Sequence, residues 1–172
     1  MSTQLREPPE SAPRKARVDL RHPSSADRDA LSELVSRDGL FTKDEVTVAL
    51  ELIDAALEEP KGEYRVLVAE ADGKLAGYIC YGPTPMTEGT WDLYWIATHP
   101  DARGKGVARA LVDKMESELR GFGARLVRVE TSQQESYGAA HAFYEKLGYP
   151  CAARLPAFYK PGDDLLILLK RL

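Results

Sequence analysis

Arg103, Gly104, Lys105, Gly106, Val107 and Ala108 stand between a strand-like run and an amphipathic run, and together they have the chemistry of an anion cradle. Gly104 and Gly106 lack a Cβ, so their backbone can come close to a ligand and adopt φ > 0 at little steric cost. A helix beginning there presents unpaired N–H groups and the positive end of its dipole. Arg103 and Lys105 add full positive charge, and the Arg103 guanidinium can hold a phosphate through two parallel hydrogen bonds. The ligand this turn suits most naturally is a pyrophosphate. The chain contains no Gly-x-x-x-x-Gly-Lys-Ser/Thr loop. Nor is this the dinucleotide fingerprint, because Arg109 stands where its third small residue belongs.

A second chemistry-bearing segment runs from Tyr137 to Tyr149. Ala140, Phe143, Tyr144 and Leu147 recur at helical spacing, and Gly148 follows as a stop. Read alone, this is a core helix with a buried tyrosine.

Periodicity supplies the elements that must hold these two segments. Ala16 to Leu20 predicts a short strand, and Ser24 or Ser25 caps a helix to about Arg37 that presents Leu31, Leu34 and Val35 before Asp38-Gly39 ends it. Thr42 and Glu45 form a capping box for a second helix with Val46, Leu50, Ile53 and Leu57 on one face. Tyr64 to Glu70 and Lys74 to Tyr81 are strands joined by the hairpin signal Asp72-Gly73. Pro83 and Pro85 predict a loop over 82–89, and Trp91 to Thr98 resumes as a strand. Val107 to Arg120 is a helix, Leu126 to Thr131 a strand, and Tyr137 to Leu147 a helix. Cys151 to Tyr159 is a broken strand, 161–164 a turn, and Leu165 to Lys170 a final strand. This order implies an α/β (α+β) fold, one mixed sheet with helices on both faces.

The first segment fits Arg/Gln-x-x-Gly-x-Gly/Ala through Arg103, Gly106 and Ala108; the second fits a helix ending in Ala-x-x-Phe-Tyr-x-x-x-Gly-Tyr/Phe. In this order, with a strand between them, the two motifs resemble the GNAT N-acetyltransferase superfamily. The likeness covers residues 16–172, although only the motifs are specific. It implies a single domain built on a central, mostly antiparallel twisted sheet of about seven strands with about four helices. It also implies transfer of an acetyl group from acetyl-CoA to a primary amine of a small molecule or a protein, by direct attack in a ternary complex.

On that resemblance the pantetheine arm lies between two central strands that splay apart, with Ile96, Ala97 and Thr98 supplying main-chain contacts. Arg103 to Ala108 hold the pyrophosphate. Tyr144 matches the position of the general acid, and a phenol of ordinary pKa, ~10, stays protonated at neutral pH and can donate. Asp92, Tyr94 and Ile96 alternate onto one face of their strand, so Asp92 can reach an acceptor pocket as general base. Glu130 on the next strand is its competitor, and a structural hydrogen bond or salt bridge is the alternative for each. One position departs from the family pattern: Tyr137 stands seven residues before Tyr144, where many members carry an Asn that touches CoA, and Ser132 or Ser136 are substitutes for that contact. The acceptor pocket draws on residues 24–57, the 82–91 loop and 152–164, with Trp91, Tyr94, Trp95, Phe158 and Tyr159 as aromatic walls. The alternative reading is a non-catalytic acyl-CoA-binding or sensor module.

Composition sets the outer bounds. A chain of 172 residues with 44% hydrophobic content suits one domain with a substantial core. With 27 acidic residues against 23 basic ones and a net charge of −4, a nucleic-acid surface is not suggested. The two cysteines, Cys80 and Cys151, make no disulfide framework and no zinc site, and are read as reduced, partly buried thiols of a cytoplasmic protein. His22, His99 and His141 are scattered, so no metal is expected, and His141 reads as a helix-surface residue. No apolar run approaches the ~20 residues of a membrane span. Residues 1–15, with three prolines and no apolar core of a signal peptide, read as a flexible tail before a domain over 16–172. A homodimer is left open, as no distinct surface pattern points to one.

Overall fold

A computed structural model describes residues 17–172 apart from 38 and 40, so the tail and Asp38 lie outside the described residues. The elements are β1 (Val18–Arg21), α1 (Arg28–Val35), α2 (Lys43–Glu58), β2 (Arg65–Ala71), β3 (Lys74–Pro83), β4 (Thr90–Thr98), α3 (Val107–Gly121), β5 (Leu126–Ser132), α4 (Gly138–Lys146), β6 (Cys151–Lys160) and β7 (Asp163–Arg171). The seven strands form one sheet in the order β1-β2-β3-β4-β5-β7-β6. Every neighbouring pair is antiparallel except β4 and β5, which run parallel. The expected architecture is therefore present.

Local sequence explains most boundaries. Thr42 and Glu45 close a reciprocal capping box at the start of α2, with Thr42 N–H donating to Glu45 Oε2 at 2.7 Å and Glu45 N–H to Thr42 Oγ1 at 3.3 Å. Asp72 and Gly73 both take positive φ in the two-residue β2–β3 turn. The first predicted helix is shorter than its periodicity suggests, because Ser25–Asp27 form a 3₁₀ turn before α1. β3 runs through Pro83, two residues past the predicted end, and Thr84 N–H still donates across to Thr90 C=O at 2.9 Å. β6 is a continuous edge strand to Lys160, and its predicted break survives as register shifts around Ala157, whose φ is 52°.

The two sheet faces bury separate cores. Strict alternation on β2 and β3 sends Leu67, Ala69, Ile79 and Tyr81 to one side, where Leu111, Met115 and Leu119 of α3, Tyr144 of α4 and Leu147 just after it cover them. Val66, Val68, Tyr78 and Cys80 face the other side, under Leu31, Leu34 and Val35 of α1 and Ala49 and Ile53 of α2. Helices thus cover both faces of the central strands. The reading of both thiols as partly buried is corrected: Cys80 is enclosed in the second core, where burial pushes its pKa up to about 12, whereas Cys151 is exposed on the edge strand.

Candidate active site

The parallel pair β4 and β5 is joined over only part of its length. Thr90 to Leu93 pair with Leu126 to Val129. Beyond that point β4 continues against β3 as far as Thr98, and β5 continues against β7 as far as Ser132, so the two strands part company. Each then carries backbone N–H and C=O groups on its inner edge that the other strand does not satisfy. A bulge in β4 accompanies the split: Leu93 pairs with Tyr81 and Trp95 with Cys80, leaving Tyr94 as the extra residue. The bulge also overturns the predicted alternation. Trp91, Leu93 and Ile96 pack on the α3–α4 side, whereas Tyr94, Trp95 and Ala97 pack on the α1–α2 side, so Ile96 does not share a face with Tyr94.

The gap opens into a cavity of about 1160 Å³. Its walls are Leu93 to Ile96 on β4, Val129 to Ser132 on β5, Ala140 and Tyr144 on α4, the first turns of α2, and Tyr159, Lys160 and Asp163 at the β6–β7 turn. Thr98 and Ala97 continue the β4 edge toward the glycine turn.

That turn has the geometry of a cradle. Gly104 and Gly106 have φ of 73° and 80°, a region where side chains other than glycine are strained. Ala110 N–H makes the first helical bond of α3, to Gly106 C=O at 2.9 Å, so the Val107, Ala108 and Arg109 amides precede the hydrogen-bonded ladder. Arg103, Gly104, Lys105 and Gly106 are exposed, whereas Val107 is buried and roots the helix in the core. Gly77 makes that rooting feasible. A Cβ there would lie 2.8 Å from Ala97 O and 3.0 Å from Val107 Cγ1, so only glycine lets α3 begin this close to the sheet. Sequence reading missed this residue; a glycine inside a strand pattern was its available signal.

Tyr144 projects from α4 into the gap and is 4% exposed. Burial holds its phenol above the ordinary pKa, which corrects the expectation of an unperturbed value and makes the proton harder to remove. Its ring meets Phe143 and Tyr149 edge-on at 5.3 and 5.7 Å. His141 is half-buried, with Nε2 2.7 Å from Ser132 O, so it pins α4 to the end of β5 rather than standing on the surface. Tyr137 is 36% exposed and lines the cavity mouth beside Glu45; its pKa is raised by burial, then by the charge and hydrogen bond of Glu45. Ser132 Oγ donates to Asp163 and accepts from Gln134 N–H at 3.1 Å, so it is already engaged, and Ser136 does not line the cavity.

Asp92 is 6% exposed and tied on both oxygens. Thr84 Oγ1 donates to Oδ2 at 2.8 Å and Arg128 Nε to Oδ1 at 2.5 Å. Arg128 also stands 3.4 Å from Glu130, whose side chain is substantially exposed. The hydrogen bond to Asp92 raises the Arg128 pKa above its usual value. Sequence reading did not find Arg128, because its partner Asp92 lies on another strand. Tyr94, next to this pair, is pushed up to about 12 by burial first and the Asp92 charge second.

Of the predicted aromatic walls, Tyr94, Trp95 and Tyr159 line the cavity, joined by Phe41, Tyr64 and Tyr137. Trp91 does not: it sits in the α3-side core, stacked on Phe122 at 5.8 Å. Phe158 is exposed on the edge strand, outside the cavity. The expected contribution of the 82–91 loop is corrected: none of its residues lines the cavity, and Thr84 bears on the site only by bonding Asp92. Asp44, Glu45, Asp92, Glu130 and Asp163 face the cavity against Arg128 and Lys160, so its walls are acidic on balance. Among the described residues no group of three or more His, Cys, Asp or Glu side chains is arranged to hold a metal ion. No helix among them is long and apolar enough to cross a membrane.

A parallel pair forced open beside a glycine-capped helix defines a class of ligand-binding α/β proteins. Residues 28–149 match the Acetyltransferase (GNAT) family, and the chain belongs to that family. A solved GNAT-family structure from Desulfovibrio desulfuricans superposes with a TM-score of 0.86 at 39% identity, covering 90% of this chain and 99% of that one. The L-amino acid N-acyltransferase MnaT of Escherichia coli is 26% identical over 81% of this chain and 83% of its own length. An uncharacterized N-acetyltransferase of Methanocaldococcus jannaschii, MJ1530, is 29% identical over 60% of this chain; the match spans 64% of that protein, just under two thirds. The same fold, at a TM-score of 0.69 and 23% identity over 90% of this chain and 94% of the other, occurs in yncA of Salmonella typhimurium, solved with acetyl-CoA.

Proposed function

We propose that this chain is an N-acetyltransferase whose single catalytic domain, residues 16–172, moves an acetyl group from acetyl-CoA to a primary amine while both are bound. One observation carries the reading: the β4–β5 gap has free amides of a left-handed glycine turn near one end and the buried Tyr144 phenol in its wall. The residues fit acetyl-CoA. The Val107 and Ala108 amides, with Arg103, Gly104, Lys105 and Gly106, take the pyrophosphate. The unpaired edge of β4 around Ile96, Ala97 and Thr98 takes the amide-bearing arm, as an added strand would. Tyr137, at the mouth, flanks the ligand in place of the family's usual Asn.

The amine nitrogen attacks the thioester carbonyl carbon, and a β4 N–H meets the developing oxyanion. As the C–S bond breaks, Tyr144 gives its proton to the departing sulfur. A thiolate is a weaker base than this raised phenolate, so the proton shed by the attacking amine must return to Tyr144 within the same turnover. Asp92 is held by Arg128 and Thr84, which favours an orienting role for it. Glu130 is the freer carboxylate to take the amine's proton, directly or through water, and pass it on to the Tyr144 phenolate. The acidic, aromatic walls favour an acceptor that arrives as a cation. A cytoplasmic location fits the two free thiols.

The test is thiol release from acetyl-CoA across a panel of amines, after calorimetry has established binding. Heat of binding with CoA and acetyl-CoA, and turnover highest with cationic amines, is the expected result. Binding without turnover on any amine would point to an acyl-CoA-binding module instead. No heat with either ligand would remove the cradle and the reading with it.

A further inference from the structure

We propose that Glu116 and Lys170 act through Tyr149 as positioning residues that aim the Tyr144 ring into the β4–β5 gap. The inference rests on the reading of Tyr144 as the proton donor.

Glu116 lies on the core side of α3 and is 3% exposed. A carboxylate buried there is costly unless its oxygens are met. Both are. Oε1 accepts from the Tyr149 hydroxyl at 2.8 Å and from Lys170 Nζ at 2.7 Å, and Oε2 accepts from Lys170 Nζ at 2.8 Å and Arg120 Nη2 at 3.3 Å. Apolar side chains of similar volume often replace a buried ion pair at no loss of stability, so the Glu116–Lys170 pairing by itself is weak evidence of a purely stabilising role. Its distinctive effect is geometric. Tyr149 is gripped at its hydroxyl by Glu116, on its ring face by the Lys170 ammonium at 5.2 Å, and by its own N–H, which donates to Tyr144 O at 3.0 Å.

Tyr144 needs such a support. It is 4% exposed and its ring is met edge-on by Phe143 and Tyr149, so packing sets the direction of its ring. Tyr149 supplies that packing edge-on, at 5.7 Å and 65°. The cluster also sits on α3, the helix whose first residues form the anion cradle. One rigid helix therefore carries the cradle at its start and the support of the acid farther along. This strut sets the spacing between the bound diphosphate and the phenol.

Tyr149→Phe keeps the ring and removes only the gripped oxygen. A slight misplacement of a catalytic group is enough to lower kcat by about tenfold. The acetyl-CoA KM should stay within about twofold, since the cradle is untouched. The same substitution in a Tyr144→Phe background should cost nothing further, because the group being aimed is gone. As a second arm, the apolar pair Glu116→Leu with Lys170→Met should leave thermal stability equal or higher while kcat still falls, a split that a purely structural role would not produce. Full activity of Tyr149→Phe, or an equal further loss when Tyr144 is already Phe, overturns the positioning role. If the apolar pair does not fold, the Tyr149→Phe cycle decides alone. Unchanged turnover of Tyr144→Phe by itself would instead overturn the proton-donor reading on which the proposal rests.

Discussion

On the proposed coenzyme side of the cleft the candidate binding groups are main-chain amides within one short segment, 103–108, whose charged side chains are exposed to solvent. On the proposed acceptor side the candidate groups are side chains drawn from α2, β4, β5 and the β6–β7 turn, and several already bond one another. The contrast shows two ways of building a site. Backbone recognition needs one local conformation, so it tolerates change at most side chains and fails where φ is constrained. Side-chain recognition is assembled from distant positions, so it changes with any of them and leaves the fold in place.

Removing the group that stands between the two sides should have the largest effect. Tyr144→Phe is expected to lower kcat by ~10²-fold or more, with acetyl-CoA affinity by calorimetry nearly unchanged. A split of the opposite kind is expected from Gly106→Val. A β-branched residue at φ 80° costs about 1–3 kcal/mol. The acetyl-CoA KM should therefore rise about 10–100-fold, with saturating kcat largely kept; an unaltered KM would mean that this turn does not bind the coenzyme. Asp92→Asn addresses the acceptor side. It leaves Arg128 without its carboxylate in a partly buried setting, and urea unfolding should show a loss of about 1–3 kcal/mol. Glu130→Gln, at an exposed position, should lose under about 0.5 kcal/mol but alter the acidic limb of the pH–rate profile. If Asn at 92 alone abolishes that limb, the roles of the two carboxylates are reversed. Arg103→Ala should raise the acetyl-CoA KM by only about 3–10-fold at low salt and less at 0.5 M, since an exposed cation is screened.

The smallest effect concerns pH. Burial raises the Tyr144 pKa, so the donor keeps its proton past the ordinary value and is lost only above it. Between pH 7 and about 10, kcat should not decline. A decline centred within that window would assign the acid to another group.

How much of this was legible beforehand follows the same division. The capping box at Thr42 and Glu45, the Asp72-Gly73 hairpin and the Gly106 helix start are local, and each was readable because a few adjacent residues determine the backbone. Tyr144 was readable from helical spacing, although its raised pKa was not, because burial comes from the assembled core and from Tyr149. The failures were non-local. The alternation that placed Ile96 beside Asp92 and Tyr94 was broken by a bulge that exists only in register with β3. Trp91 was expected in the pocket and lies in the core, because the same register turns it toward Phe122. Arg128 and Gly77 carry no motif; their importance comes from what stands opposite them.

The order of strands and helices, the glycine turn and the tyrosine-bearing helix belong to the sequence alone, since propensity, periodicity and φ preference act over a few residues. The parting of β4 from β5, the Arg128–Asp92–Thr84 group and the buried Glu116–Lys170–Tyr149 cluster were decided only in the tertiary structure. Each depends on pairing register and burial between segments far apart in the chain, and desolvation has no value until those segments have met.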